Sequence, residues 1–326
     1  MSLAPDSLGP TLSIGEILVE IVATTAGRGF QDAQPLIGPF ASGAPAIFID
    51  QCGRFGGSAA MIGAVGDDDF GQLNVKRLEQ DGVDVSGIRI DPVLPTGTAF
   101  VRYQSDGSRN FVFNMWTSAA GSLAWTEAVE ALVLRSGHLH VMGTLLGQAS
   151  VWPLIERAAE LIKARGGSIS LDPNVRKELK ADAEFGERFE RMVGLSDLLL
   201  PSGDEVFITA GLSPEAGEAS ALQRLFERGP AEIVLKRGSE GASSFEKDGR
   251  SSHAAAFSVE EIDPTGAGDC FGGAYVAARR LGLSVSQALD YGSAAGARNV
   301  TVRGPMEGAG TREQLDQFIT NTPRRT

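Results

Sequence analysis

Short apolar runs alternate with longer amphipathic stretches along most of the chain. Segments such as 138–142 and 232–236 are short and mainly apolar and predict strands, while 151–164 repeats apolar residues at helical spacing. Strands separated by helices of this length predict right-handed crossovers and a parallel sheet that is covered on both faces. The segment 242–257 predicts an antiparallel hairpin at the edge of that sheet.

A different pattern interrupts this alternation near the N-terminus. Residues 98–115 carry two apolar alternating segments around a polar, glycine-containing turn, which predicts a β-hairpin. Residues 11–23 read as a single strand of mixed burial. These strands are expected to form a small sheet outside the main one, so we predict one chain, 1–326, with a main α/β domain at about 45–96 and 117–326 and a discontinuous lid at about 16–44 and 97–116.

Composition narrows the kind of ligand. The 326 residues include 29 basic and 41 acidic side chains, and the formal charge of -12 disfavours nucleic acid and anionic membranes as partners. Two cysteines without a Cys-x-x-Cys pair suggest neither a disulfide framework nor a zinc site. No segment resembles a signal peptide or is long and apolar enough to span a bilayer, so we predict a cytoplasmic protein that binds a small molecule.

The segment from Asp263 to Asp269 carries the strongest chemical signal. It reads Asp-Pro-Thr-Gly-Ala-Gly-Asp between a predicted strand at 259–262 and an amphipathic helix. A helix N-terminus presents amides to an anion, and glycines let phosphate oxygens approach the backbone. Asp269 would then accept the proton of an attacking hydroxyl. The alternative is that the glycines only end a strand and that Asp269 caps the helix.

The longer string through Phe271-Gly272-Gly273-Ala274 resembles the second signature of the ribokinase or PfkB family of carbohydrate kinases. Ile14-Gly15-Glu16 and the segments 63–71, 171–176 and 234–242 match the same family in the same order. The resemblance implies an α/β fold, with a ribokinase-like, doubly wound, mostly parallel sheet and a small β-sheet lid. It also implies ATP and Mg²⁺ as cofactors, phosphoryl transfer to a sugar hydroxyl, and a homodimer formed through the lid.

The resemblance also assigns roles to individual residues. Asp269 would be the catalytic base, with Gly266, Ala267 and Gly268 as the anion hole. The nucleotide would contact Lys236, Gly238, Gly241, Ser202 and Asn299, and magnesium and phosphate would be organised by Glu205, Asp172 and Asn174. Asp263 and Thr265 are candidate ligands of a monovalent cation such as K⁺. The family often has asparagine where this chain has Ser202.

The sugar is expected to contact Glu20, Gly43, Ala44, Ile47, Phe113 and Arg176. Ile47 replaces an asparagine of many fructokinase-like relatives, and Phe113-Asn114-Met115 lacks the arginine that 2-keto-3-deoxygluconate kinases carry after the hairpin. A buried carboxylate without a cation is costly, so a neutral ketohexose such as tagatose or fructose is favoured over 2-keto-3-deoxygluconate. Arg176 would contact substrate or γ-phosphate, or form a surface salt bridge.

Other functions and metal sites have weaker support in the sequence. The chain has neither a Gly-x-Gly-x-x-Gly after its first strand nor a P-loop motif, which disfavours a dinucleotide-dependent oxidoreductase and a P-loop enzyme. A non-catalytic sugar- or nucleotide-binding regulator is suggested by Ile47 and Ser202 but disfavoured by the intact Asp269. The acidic run 67–69 is expected to cap a helix. His138 and His140 are expected to pack in the core rather than bind metal.

Overall fold

The computed structural model describes residues 3–27, 29–105, 109–174 and 183–325. Arg176 and the predicted hairpin turn at 106–108 lie outside them. The strands are, in chain order, β1 (Thr11–Ile14), β2 (Leu18–Ala23), β3 (Leu36–Ser42), β4 (Ala59–Gly66), β5 (Val83–Asp91), β6 (Gly97–Tyr103), β7 (Arg109–Asn114), β8 (His138–Met142), β9 (Ser168–Asp172), β10 (Leu198–Leu199), β11 (Glu232–Lys236), β12 (Ala242–Glu246) and β13 (Ser251–Ala254). The helices are α1 (Ala44–Phe55), α2 (Asp69–Gln80), α3 (Glu127–Arg135), α4 (Trp152–Ala164), α5 (Ala183–Leu195), α6 (Glu205–Ala210), α7 (Glu218–Arg228), α8 (Ala267–Arg280), α9 (Val285–Asn299) and α10 (Arg312–Asn321).

The larger sheet has the strand order β13-β12-β11-β10-β9-β8-β1-β4-β5. All neighbours from β5 to β11 are parallel, and β12 and β13 add an antiparallel edge. Every residue of β1, β4, β8, β9 and β11 is buried, as expected for parallel strands covered by helices on both faces. The predicted fold class and edge hairpin are therefore confirmed.

The strand order reverses beside β1. From β1 the chain builds outward through β4 to β5, and it then returns to the other side of β1 to build β8, β9, β10 and β11. In open α/β sheets, ligands bind outside the carboxyl ends of the strands at such a reversal. The segments that follow β1, β8 and β9 are therefore the place where a ligand is expected.

The smaller sheet has the order β3-β2-β6-β7, with β2 and β6 parallel and the outer pairs antiparallel. The prediction of one strand over 11–23 is wrong, because the chain leaves the large sheet after Ile14 and enters the small sheet at Leu18. The break lies at Gly15, where a Cβ would stand 2.7 Å from side-chain carbons of Leu145 and Pro45. Close packing at this position separates the two sheets.

Two further segments position the site. Gly43 has φ +112°, and a Cβ there would lie 2.4 Å from the Glu16 carbonyl oxygen, so only glycine allows the close backbone approach before α1. The predicted strand at 259–262 is wrong, because residues 258–262 form no strand. Instead the Ile262 and Asp263 amides donate to the Val300 carbonyl at 2.7 and 3.1 Å. Two glutamates between Val259 and Ile262 leave too little apolar surface for a buried strand.

The acidic residue before α2 and the two histidines of β8 have the structural roles that the sequence predicts. The Asp68 side chain accepts from the Gly71 amide at 2.8 Å and caps α2. His138 and His140 are fully buried and bond to the Ser168 and Ser170 hydroxyls at 2.7–2.8 Å. Burial holds the pKa of both histidines well below the usual value. Among the described helices, none is long and apolar enough to cross a membrane.

Candidate active site

A cavity of about 830 Å³ lies between the carboxyl edge of the large sheet and the small sheet. Five carboxylate side chains and two cations line it: Glu16, Glu20, Asp172, Glu205, Asp269, Arg109 and Lys236. The small sheet contributes apolar side chains, including Phe111 and Phe113, together with the charged Glu20 and Arg109. This mixture suits a polar ligand that also has apolar surface.

The floor of the cavity contains the N-terminus of α8. Gly266 precedes the helix in a left-handed conformation with φ +79°, and a Cβ there would lie 2.3 Å from the Pro305 carbonyl oxygen. First-turn amides of a helix have no intrahelical acceptor, and the helix dipole favours an anion at this end. Gly266, Gly268 and the half-exposed Asp269 line the cavity together. The N-terminus of α8, an end of a helix that favours an anion, and the Asp269 carboxylate therefore lie in one turn of the chain.

The loop before α8 is held by Asp263. Its carboxylate accepts from the Tyr103 hydroxyl at 2.7 Å, the Thr265 amide at 3.0 Å and the Gly304 amide at 3.0 Å. Burial alone would raise the pKa of Asp263, but these donors bring it below its usual value. Asn299 adds a bond from its amide nitrogen to the Thr265 carbonyl at 2.8 Å. The loop conformation is therefore fixed from both sides.

Lys236 and Asp172 form a buried ion pair at the ends of β11 and β9. The Lys236 Nζ lies 2.5 Å from an Asp172 carboxylate oxygen, and the side chains are 10% and 5% exposed. Burial opposes the lysine charge, but the attraction of Asp172, with Glu205 and Asp269 nearby, raises the pKa of Lys236. Asn174 adopts a positive φ of 37°, and its amide donates to Asp172 at 3.2 Å. The positively charged Lys236 ammonium therefore lies near the N-terminus of α8.

Glu205 begins α6 and faces the same cavity. Its carboxylate accepts from the Ser202 amide at 2.8 Å, which orients it beside the end of β10. Ser202 also forms a parallel bridge with Lys236, and both line the cavity. The structure thus brings together three predicted phosphate or magnesium residues, Glu205, Asp172 and Asn174, with the lysine.

The substrate residues predicted from the sequence lie toward the small sheet. Glu20, Gly43, Ala44, Ile47 and Phe113 all line the cavity. Glu20 is only 2% exposed, so its carboxylate is buried at the cavity and does not lie on a solvent-exposed face of β2. Carboxylate oxygens at this depth are acceptors for ligand hydroxyl groups.

Some predicted residues do not line the cavity. Gly238 and Gly241 lie in the loop after β11, and a Cβ on Gly241 would lie 2.0 Å from the Ala254 carbonyl oxygen. Asn299 is fully buried behind the α8 loop, so its observed role is to hold Thr265. Ala267 and Asp263 also lie outside the cavity lining, and Asp263 holds the loop through its bonds to the Thr265 and Gly304 amides. Arg176 lies outside the described residues.

Sequence reasoning missed Arg109 and Thr144, which line the cavity. The Arg109 guanidinium donates to the Thr265 hydroxyl at 2.7 Å, so a cation reaches the site from the start of β7 rather than from residues 113–115. Strand alternation places Arg109 on the same face as Phe111 and Phe113, and this was the available signal. Thr144 follows β8 with no recognisable motif.

Known proteins resemble this chain in sequence and in fold. The model of the pfkB family carbohydrate kinases matches residues 11–312. A candidate ribokinase II from E. coli, solved with ATP and Mg²⁺, is 41% identical with TM-score 0.88 and covers 96% of this chain and 99% of its own.

Two fructokinases are also similar. Fructokinase-1 of Oryza sativa subsp. japonica is 30% identical over 90% of this chain and 92% of its own. Fructokinase of Vibrio cholerae O395, solved with fructose, ADP and a calcium ion, is 25% identical with TM-score 0.77 over 96% and 99%. Because the matched region contains both sheets and the helix terminus with its aspartate, the chain belongs to the pfkB family of carbohydrate kinases, which are sugar phosphotransferases.

Proposed function

We propose that this protein is an ATP-dependent kinase of a neutral ketohexose, with fructose as its preferred substrate. One observation carries the proposal: the α8 N-terminus, Asp269 and Lys236 share a cavity with the buried carboxylate of Glu20. Relatives named fructokinase in a plant and a bacterium support fructose over other sugars. Tagatose is the second ketohexose to test.

The residues present fit ATP and Mg²⁺. The α8 terminus and Lys236 suit the nucleotide phosphates, and Glu205 offers carboxylate oxygen, the ligand type that Mg²⁺ prefers. Among the described residues no cluster of three or more histidine, cysteine or acidic side chains could hold a metal alone. This agrees with Mg²⁺, which is usually held by one or two carboxylates, water and phosphate. When bound, Mg²⁺ would neutralise charge on the phosphates.

The proposed reaction is an in-line transfer. Asp269 accepts the proton of the sugar hydroxyl as the oxygen forms a bond to the γ-phosphorus, and the bond to the ADP oxygen breaks. Amides of the first α8 turn stabilise charge on the transferred group. Lys236 remains protonated beside them because Asp172 holds its charge. The products are the sugar phosphate, ADP and a proton.

The small sheet is proposed to act as a lid. The bonds from Tyr103 to Asp263 and from Arg109 to Thr265 join it to the α8 loop, which supports closure over a bound sugar. We further propose a homodimer formed through the exposed side of this sheet, where Leu36, Ile37 and Val112 are 40–56% exposed. Sedimentation at micromolar concentration tests it, and a monomer alone would refute it. A cytoplasmic location remains part of the proposal.

We propose that K⁺ activates the enzyme through the loop that contains Asp263 and Thr265. The buried charge of Asp263 and the buried Asn299 Oδ1, which has no hydrogen-bond donor among the described residues, support a cation there. Rates in KCl, NaCl and choline chloride at equal ionic strength test this. Equal rates in all three salts would contradict it.

A coupled ADP-release assay with fructose, tagatose and 2-keto-3-deoxygluconate tests the main proposal. Fructose should give the highest kcat/KM. Asp269→Asn should retain the fold and lose about 10²–10⁴ in kcat. If Asp269→Asn turned over at a near-normal rate, Asp269 could not be the catalytic base. If the wild type released no ADP in the presence of any of the sugars, the proposal of a sugar kinase would be refuted.

A second candidate substrate is an acidic sugar such as 2-keto-3-deoxygluconate. Arg109 favours it, because its guanidinium lines the cavity and supplies the cation that residues 113–115 lack. An arginine pairs well with a carboxylate. The same panel decides between the candidates, and a higher kcat/KM for the acidic sugar would overturn the neutral ketohexose.

A further inference from the structure

The segment 304–310, which follows α9, contacts the loop that precedes α8. The Gly304 amide donates to the Asp263 carboxylate at 3.0 Å, and a Cβ on Gly266 would lie 2.3 Å from the Pro305 carbonyl oxygen. Close-packed atoms of this kind transmit displacements to their neighbours. A shift of the segment therefore either moves the start of α8 or breaks these contacts.

Side chains from neighbouring helices hold this segment in place. Six of the seven residues 304–310 are buried, and they form neither helix nor strand. Buried backbone groups need hydrogen-bond partners, and here side chains supply them. Arg298 donates to the Ala309 carbonyl at 2.9 Å, and the Gln51 side chain pairs with the Gly310 carbonyl and amide at 2.9 and 3.0 Å. The position of the segment thus depends on the side chains that bind it.

Arg77 supplies a third such bond, at the residue next to Pro305. It extends from α2, and its Nη2 donates to the Met306 carbonyl oxygen at 2.7 Å. Among these three side chains, Arg77 bonds closest in sequence to the carbonyl that packs on Gly266. Loss of the Arg77 bond would therefore loosen the segment where it touches the start of α8.

Two acidic side chains fix the orientation of Arg77. Its Nε lies 3.2 Å from a carboxylate oxygen of Asp50 in α1 and 2.7 Å from one of Asp81 at the end of α2. Asp50 is fully buried, and the Arg77 side chain is 18% exposed. A planar guanidinium has five donors, so it can bond to two carboxylates and a carbonyl at once. The position of Arg77 is therefore set by α1 and α2, independently of the segment that it holds.

We propose that Arg77 is a positioning residue for phosphoryl transfer, which acts by fixing the segment 304–310 against the start of α8. This inference rests on the proposed sugar kinase function, and Arg77 itself does not line the cavity. The first-turn amides of α8 meet the transferred group, and a misplacement of about 1 Å costs on the order of 10²-fold in rate. Arg77 therefore affects the rate of transfer without touching sugar or nucleotide.

The experiment compares Arg77→Met with Arg54→Met. Arg54 is the matched control, because its guanidinium also pairs with Asp81, at 2.6 Å, but within the described part of the chain it forms no hydrogen bond with 304–310. Arg77→Met should lower kcat about 10–100-fold and keep the fructose KM within about threefold of wild type. Arg54→Met should leave both constants unchanged.

Arg77→Met is expected to fold. Burial raises the pKa of Asp50 to about 8 even though Arg77 attracts its charge, so without the arginine the Asp50 carboxyl takes up a proton and stays neutral. If the variant is nevertheless too unstable to assay, Asp50→Asn/Arg77→Met carries the same test, since it has no ionisable group at position 50.

Hydrogen exchange without ligand separates positioning from a general loss of stability. Peptides that cover 262–270 and 304–310 should exchange faster in Arg77→Met and at the wild-type rate in Arg54→Met, while the strand 138–142 should stay protected in both. An unchanged kcat in Arg77→Met, an equal loss of kcat in Arg54→Met, or a fall in kcat without faster exchange at 262–270 would overturn the inference.

The two measurements also separate this inference from the kinase proposal. If the wild type phosphorylates no sugar but Arg77→Met exchanges faster at 262–270, the kinase proposal fails and the link between Arg77 and the α8 loop stands. If the wild type phosphorylates fructose and Arg77→Met matches its kcat, the kinase proposal stands and the role of Arg77 is refuted.

Discussion

Gly268→Ala should separate the stability of the protein from its activity. Gly268 is the second residue of α8, and an added Cβ would lie 3.4 Å from the Lys236 Nζ, with no other atom among its three nearest within 4 Å. This is an ordinary contact rather than a clash. The methyl group would nevertheless project between the helix amides and the lysine ammonium, where the transferred phosphoryl group is proposed to lie.

The two effects have opposite signs. Replacing glycine by alanine in a helix stabilises it by up to about 1 kcal/mol, which for a chain of this size raises the melting temperature by up to about 2 °C. Displacing phosphate from the backbone amides resembles the loss of an oxyanion-hole donor, which costs about 10²–10³ in kcat. A more stable and less active enzyme is therefore expected.

Gly186→Ala is the matched control, because Gly186 lies in α5 with no atom within 4 Å of an added Cβ. Thermal unfolding without ligand and the coupled ADP assay should be run on both variants. Both should be as stable as the wild type or slightly more stable, and only Gly268→Ala should lose activity. A fully active Gly268→Ala would refute the assignment of the α8 terminus as the phosphate site, and a large loss of stability would refute the packing argument.

Three further predictions test the charges around the site and in the core. Lys236→Met should lower the free energy of unfolding by about 3–5 kcal/mol, because it leaves the Asp172 carboxylate buried without its lysine partner. The double variant Lys236→Met/Asp172→Asn should recover much of this loss. If urea unfolding showed that the losses of the two single variants simply add in the double variant, the pairing would be contradicted. Arg109→Met should lower kcat/KM about 10–100-fold, because it removes the hydrogen bond from Arg109 to Thr265 between the small sheet and the α8 loop. Arg109→Lys should recover part of the activity. An unchanged kcat/KM in Arg109→Met would show that activity does not need this bond. Burial lowers the pKa values of His138 and His140, so the unfolded chain binds more protons than the folded chain as the pH falls below about 6.5, and the stability should fall by about 1 kcal/mol per histidine between neutral pH and pH 5.5. A urea midpoint that does not move over this range would refute the prediction.

The sequence alone determined features that depend on local pattern. The alternation of short segments such as 138–142 and 232–236 with longer amphipathic stretches identified strands of a parallel sheet, since helical crossovers join parallel neighbours. The segment Gly266 to Asp269 predicted the start of a helix, which the structure confirms at Ala267, because the glycines and the amphipathic pattern after them lie in one short stretch. The anion site at this helix N-terminus stays a prediction. Family resemblance supplied the candidate residues around it.

Predictions from the local sequence pattern were wrong where contacts with distant segments decide the conformation. Residues 11–23 appeared as one strand because both parts are apolar, and only packing at Gly15 assigns them to different sheets. Residues 259–262 appeared as a strand, but their backbone is bonded to Val300 rather than to a sheet. In both cases the hydrogen-bond partners lie far away in the sequence, so no local window contains them.

The same limit applies to the site. Lys236, Asp172 and Glu205 could be suspected singly, but their common environment exists only because parallel strands bring their carboxyl ends to one edge. Arg109 and Thr144 carry no motif, and they enter the site because the small sheet folds onto the α8 loop and because β8 lies beside β1. The sequence therefore determined the residue types at the proposed phosphate site, while the tertiary structure decided which side chains line the cavity around it, since those contacts join segments that are distant along the chain.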